Sequence, residues 1–437
     1  DVVSEEETPE IFTNEEQETA GETDEELSVF SSEEVPEFND APDEAMAAAE
    51  NEQAGEIDLT TSNKVVNGVY TISSAGDHKF ICSQETGNRI VVDGTNISEQ
   101  DNINIYLDNV NINTSVGPAL RINLNVEATV TIHLTGTNSL ITKNNYYAGL
   151  QKDNKARLII KTNNSDATAG ILNARSIDGD SAGIGGGYYG TGSCSNIIID
   201  SCSVIASSKY GAGIGGSKGH AGSDITINSS SVTASSTDGA GIGGGGYGAD
   251  SGSDITINSS SVTASSTNGA GIGGGEGNSC ENITINSSSV TASSKYGAGI
   301  GGGKGYGGSS KNITINGGSV KASSVSGSPT NEGKEVYCCT IENPENANVT
   351  IKTGTGSGSS VWNWKPVNHS SLDPDDTNLY VWLPKLESNS TNSYYSIILN
   401  PENGSESRIR NYSFDTVTNT FKAAQVVNDF IFKSPVN

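Results

Sequence analysis

The sequence predicts an all-β fold, a right-handed parallel β-helix of roughly ten coils with three short strands per coil. Three observations carry that expectation. From about Ser193 the chain repeats a unit that reads ITIN, then SSSVTASS, then GAGIGGG, then a polar glycine-rich loop. The apolar positions of the unit recur at fixed intervals: Ile197, Ile225, Ile255, Ile283 and Ile313; Val204, Val232, Val262, Val290 and Val320; Ile184, Ile214, Ile242, Ile272 and Ile300, each series stepping by 28 or 30 residues. Only 33% of the residues are hydrophobic and 53 are glycine, so the apolar side chains must be spent in thin, repeating layers.

Each apolar segment is four or five residues long and rich in Ile, Val and Thr. β-Branched residues favour strands, and the surrounding glycines rule out helix. A strand of that length buries too little alone, but identical strands stacked about 4.8 Å apart form a continuous core. The same grammar precedes the clear repeats, with Ile105, Ile132 and Ile159 spaced by 27 residues. The β-helix is therefore expected over residues 58–357. Residues 358–437 lose the repeat, contain Trp362, Trp364 and Trp382, and are expected to form a small β cap over the open end of the stack. Residues 1–57 contain 21 of the 52 acidic residues and no Lys or Arg, and their apolar residues have no sustained period, which predicts a disordered acidic leader.

The net charge of −28 disfavours nucleic acid and anionic lipid as partners, and no apolar run is long enough for a membrane helix. Neither nucleic-acid binding nor membrane insertion is expected; the chain is expected to be a monomer. The six cysteines are poorly placed for pairing. Cys194 and Cys280 share one repeat position three coils apart, about 14 Å, beyond the reach of a disulfide. Six free thiols are therefore expected. The four His are scattered, and no zinc motif is present.

Within the repeat, the interval from the ITIN isoleucine to the GIGG isoleucine is 17 residues in every unit, while the return interval alternates between 13 and 11. All length variation lies in the loop after GIGG, and such loops on a rigid scaffold are where binding is commonly built. These loops carry Tyr188, Tyr189, Lys218, His220, Tyr247, Asp250, Glu276, Lys304 and Tyr306. Ring faces there suit stacking on sugars, with Asp250 and its polar neighbours supplying hydrogen bonds. Tyr188, Tyr189, His220, Tyr247, Asp250 and Tyr306 are the candidate carbohydrate-binding residues. A second edge, with Lys209 and Tyr210 alternating with Thr237 and Asp238, reads as duplication history. Asn228, Asn258, Asn286 and Asn316 are expected to stack as a structural amide ladder behind Asp200. No cofactor is expected; Asp250 and Asp254 leave room for a single local calcium site, without an all-coil calcium ladder.

The GAGIGG repeats, with "NINIYLDNVNINTSVGPALRI", "TVTIHLTGTNSL" and "LYVWLP", resemble uncharacterised surface proteins of Gram-positive gut anaerobes (Firmicutes) related to the clostridial carbohydrate-binding β-helix family. The resemblance implies a secreted or cell-surface location, and a glycan or host or cell-surface polysaccharide as partner. A lyase or hydrolase would need clustered bases or paired carboxylates. The repeats lack both, and only Arg121, Arg157 and Arg175 near Asp178 and Asp180 offer such groups, so a non-enzymatic binding or adhesion protein is expected, with a purely structural stalk as the alternative.

Overall fold

The computed structural model describes residues 55–163, 170–188, 194–248, 252–305, 310–344, 347–353, 373, 375–386, 394–402 and 407–423. The 1–57 leader expected from the sequence lies almost wholly outside the described residues. Over the described residues from Ile57 to about Asn331 the chain is a parallel β-helix. Among the described residues there is no helix, and the strands gather into a long sheet of 19 strands, a short sheet of nine, and a four-stranded antiparallel sheet.

Each regular coil contributes the three strands that its three apolar positions demand. In one coil these are Ile225–Asn228, Ser231–Ser236 and Ile242–Gly243. The first two strand series merge into one bent sheet because Cys280–Ser294 and Lys311–Ala322 run unbroken through the corner. The third series forms the short sheet, whose nine rungs compare with the roughly ten coils expected. Every coil is in register with the next: Ile225 pairs with Ile255, Val232 with Val262, and Ile242 with Ile272. The GIGG isoleucines are fully buried from Ile184 to Ile300, so the core is a set of isoleucine and valine columns along the stack.

Glycine follows each of these isoleucines because nothing else fits. Gly243 has φ 130°, and a Cβ there would lie 2.1 Å from the carbonyl oxygen of Gly273 in the next coil. The irregular early coils required one correction. Ile132 pairs with Ile160, not with Ile159, which pairs with Thr131 and faces outward. A one-residue slip in reading a strand inverts its faces.

The parallel stack also ends earlier than residue 357. Its last contacts are a bridge between Ile300 and Val325 and the pair Thr314–Thr330. There the two-residue turn Glu332–Gly333, with φ of 49° and 73°, reverses the chain into an antiparallel hairpin. Lys334–Glu342 then pairs antiparallel with Asn378–Pro384, and Val349 and Ile351, expected in the last coil, pair antiparallel with Leu399 and Ile397. The cap thus begins near Lys334. It is fastened to the last coil by Trp382, whose indole N–H donates to the Val320 carbonyl at 2.9 Å. Trp362 and Trp364 lie outside the described residues.

All six cysteines are free. Burial pushes the thiols of Cys194, Cys202, Cys280 and Cys338 up to about 12, so they behave as small core residues.

Candidate binding site

The loop after GIGG folds back over the edge of the preceding coil. Its fourth residue beyond the GIGG isoleucine donates its backbone N–H to the coil before: Tyr188 to Tyr146, Lys218 to Asp180, Gly246 to Tyr210, Glu276 to Asp238, and Lys304 to Asn268, at 2.7–3.1 Å. This ladder brings together two sets of residues that the sequence separates. Lys209, Tyr210 and Asp238, read as a distinct second edge, share one surface with the loop residues. The correction has a plain cause: loop and corner lie on opposite sides of a two-residue strand, so the loop needs only a short return to reach the corner one coil back.

Lys218 is the hub of this surface. Its ammonium lies 5.1 Å from the ring centre of Tyr210, 5.8 Å from Tyr247 and 6.0 Å from Tyr188, and 3.2 Å from the Asp180 carboxylate. Lys209 covers Tyr210 at 4.9 Å. Tyr188 in turn lies 6.0 Å from Tyr146, so rings from four successive coils line the edge, with Lys218 among the last three. Tyr247 and Tyr296 are more than half exposed, and Lys295 and Lys304 flank the latter at 5.0 and 5.7 Å.

The hydroxyl of Tyr247 donates to Asp238 at 3.0 Å, and the Asn268 amide donates to the other carboxylate oxygen at 2.6 Å. Asp238 is buried, so these bonds hold its side chain in place at the foot of the ring. Desolvation of the phenol, then the hydrogen bonds and charges of Asp238 and Glu276, hold the Tyr247 hydroxyl well above its usual range. It stays a hydrogen-bond donor at any physiological pH.

Of the six residues expected to bind carbohydrate, Tyr188 and Tyr247 meet around Lys218. His220 sits in the same loop, its Nδ1 within 3.2 Å of the Ser217 hydroxyl and 3.1 Å of the Lys218 carbonyl, which gives it a part in holding the turn. Tyr189, Asp250 and Tyr306 lie outside the described residues. The arginines considered for catalysis are not brought together. Arg121 is in the short sheet, Arg157 precedes a strand of the first series of the long sheet, and Arg175, bonded to Ser207, is in its second series. Asp178 and Asp180 instead pair with Lys209 and Lys218. Asp254 accepts a hydrogen bond from Asn282 at 2.9 Å.

Sequence reasoning missed a second feature. The asparagine ladder is the far end of one in-register row of outward side chains: Lys79, Tyr106, His133, Lys161, Asp200, Asn228, Asn258, Asn286 and Asn316. At the early end the rings of Tyr106 and His133 stack at 4.4 Å, 12° from parallel, with Lys79 over the outer ring at 5.8 Å. Desolvation, then the nearby charge of Lys161, lowers the pKa of His133. At the late end the amides bond from coil to coil, Asn258 to Asn228 at 2.8 Å, Asn286 to Asn258 at 2.7 Å and Asn316 to Asn286 at 2.9 Å. The ladder was expected; its continuity with Tyr106 and His133 was concealed by the one-residue slip at Ile159.

A protein-family profile described as a β-helix repeat matches residues 225–246, 255–276, 283–304 and 313–328. No curated protein matches the chain. No solved structure matches it.

Proposed function

We propose that this β-helix protein is a non-enzymatic, extracellular or cell-surface carbohydrate-binding protein that presents the Lys218 edge to a glycan. The supporting observation is the convergence of Tyr188, Tyr210 and Tyr247 on one lysine, with Asp180 and Asp238 held beside them. Rings offer apolar faces and edges to the C–H surface of a sugar, while the ammonium and carboxylates hydrogen-bond its hydroxyls. The scaffold beneath is rigid, because every loop is tied to its neighbour by a backbone hydrogen bond, so little ordering cost falls on binding. Variation between coils then supplies different side chains at a constant coil spacing, as adhesion to an extended polysaccharide requires.

A structural stalk is the second reading, favoured by the inward engagement of these groups: Lys218 and Lys209 already occupy ring faces, and the Tyr247 hydroxyl is committed to Asp238. A polysaccharide pull-down and glycan array on the whole chain separate the two. The binding reading expects retained glycan that is lost, by tenfold or more, when Tyr188, Tyr210 and Tyr247 are changed to Ala. Retention of no glycan, or retention untouched by those changes, sinks it.

A further inference from the structure

Two coils depart from the repeat in the same three places. Lys209, Tyr210 and Lys218 in one are matched by Lys295, Tyr296 and Lys304 in the other, each displaced by 86 residues. The intervening steps are 28, 30 and 28 residues, so the triads sit three coils apart in register, through Ile214, Ile242, Ile272 and Ile300. At about 4.8 Å per coil, that separation is about 14 Å along the stack. The coils between them hold Thr237, Asp238 and Gly246, then Thr267, Asn268 and Glu276, at the same positions.

The two triads share a geometry as well as a composition. The Tyr210 ring centre lies 4.9 Å from the Lys209 ammonium and 5.1 Å from that of Lys218; the Tyr296 ring centre lies 5.0 Å from Lys295 and 5.7 Å from Lys304. A ring so occupied offers a ligand its cations more than its faces. The counter-charges stand lower. Side-chain exposure is 33% for Lys218 and 52% for Lys304, against 19% for Asp180 and 18% for Glu276, the carboxylates that pair with them at 3.2 Å. Asp238, between the triads, is buried. Of the acids paired with a triad, Asp178, 3.9 Å from Lys209, is the exposed one. The long-range charge that opposes an anion lies largely elsewhere, since residues 1–57 carry 21 acids and no base, and the rest of the chain is at −7.

We infer that the two triads are paired subsites for one acidic polysaccharide, a linear polyuronate laid along the edge, with each triad's ammoniums donating charge-assisted hydrogen bonds to a sugar carboxylate. The inference rests on the carbohydrate reading of this edge and adds to it the charge of the ligand and the Tyr296 subsite. A polymer with a carboxylate on every sugar can meet both triads at once. Because the backbone between them is a rigid stack, the second contact is intramolecular and multiplies the affinity of the first.

Isothermal titration of the whole protein with oligogalacturonates, and with the same oligomers as methyl esters, tests the assignment. A long oligomer should bind at least tenfold more tightly than its uncharged ester, and at least tenfold more tightly than the galacturonate dimer, which is too short to reach both triads. Lys209→Gln with Lys218→Gln, and separately Lys295→Gln with Lys304→Gln, should each bring the long oligomer down to the affinity of the dimer while the melting temperature stays unchanged. Equal binding of acid and ester, no gain with length, or a long oligomer undisturbed by either pair of substitutions overturns the inference. So does dextran sulfate that binds more tightly than the galacturonate, since the ammoniums would then answer charge density and not a uronate. A neutral glycan that is lost with Tyr188, Tyr210 and Tyr247, while no galacturonate binds, overturns this inference and leaves the carbohydrate reading standing; no glycan bound at all overturns both.

Discussion

The polarity of the asparagine row can be tested at its middle, where Asn258 gives one hydrogen bond and receives another. Its Nδ2 donates to Asn228 at 2.8 Å and its Oδ1 accepts from Asn286 at 2.7 Å. Asn258→Ala removes both; at a net 0.5–1.5 kcal/mol each, the loss is about 1–3 kcal/mol, toward the lower end because the side chains are half-exposed. Asn258→Asp is the sharper probe. It keeps the acceptor for Asn286 but sets a carboxylate oxygen against the Oδ1 of Asn228. Flipping the Asn228 amide gives no relief, because that turns its oxygen toward Asp200, the next residue in the row. At neutral pH the unsatisfied contact should cost about 1–3 kcal/mol. At low pH the protonated carboxyl has an O–H that can donate to Asn228, and the penalty should vanish. The folded-state pKa of the new group is thus raised above its unfolded value of about 3.9. Stability relative to wild type is full below about pH 4, falls as pH rises from there to the folded pKa, and is constant above it. One to two kcal/mol corresponds to roughly one pH unit or slightly more, since each unit is about 1.4 kcal/mol. Denaturant unfolding of wild type and both variants from pH 4 to 7 reads this directly. A gap between Asn258→Asp and wild type that is the same at both ends of that range would refute the directed ladder.

Two further outcomes follow from the core. Ile242→Asp places an unpaired carboxylate between Ile214 and Ile272, its fully buried partners in the neighbouring coils, and should destabilise by more than about 4 kcal/mol or prevent folding; near-wild-type thermal unfolding would mean that this column faces solvent. Thiol titration of the unfolded, non-reduced protein should count close to six, since every cysteine is free, and a count near zero would contradict the coil register.

Where the repeat is nearly verbatim, one sequence carried almost the whole fold. The 28- and 30-residue steps set the register of Ile225, Val232 and Ile242 before any coordinates, because a period of two along each strand and identity between coils leave one way to bury all three columns. The early coils were less legible. Ile159 and Ile160 are equally apolar, and only the pairing with Ile132 decides which one enters the core. The end of the solenoid was misplaced for a related reason: Val349 and Ile351 alternate as well in an antiparallel strand as in a coil, and the reversal is written only in Glu332–Gly333. The candidate site was half legible. Loop-length variation pointed to Tyr188 and Tyr247, but Tyr210 and Asp238 join them through backbone hydrogen bonds between coils, which leave no trace in composition.

The places where the repeat breaks are also where chemistry is available. In the regular coils the outward polar groups answer one another: amide meets amide along the row, and the hydroxyls of Ser236, Ser266 and Ser294 donate to the carbonyls of Gly211, Gly239 and Gly269 in the coil before. A surface that satisfies itself by translation has little left for a ligand. That symmetry fails at the Lys218 edge, where successive coils differ in charge and ring, and after Asn316, where the row of asparagines ends. In a solenoid built from copies, recognition must come from the residues that are not copied.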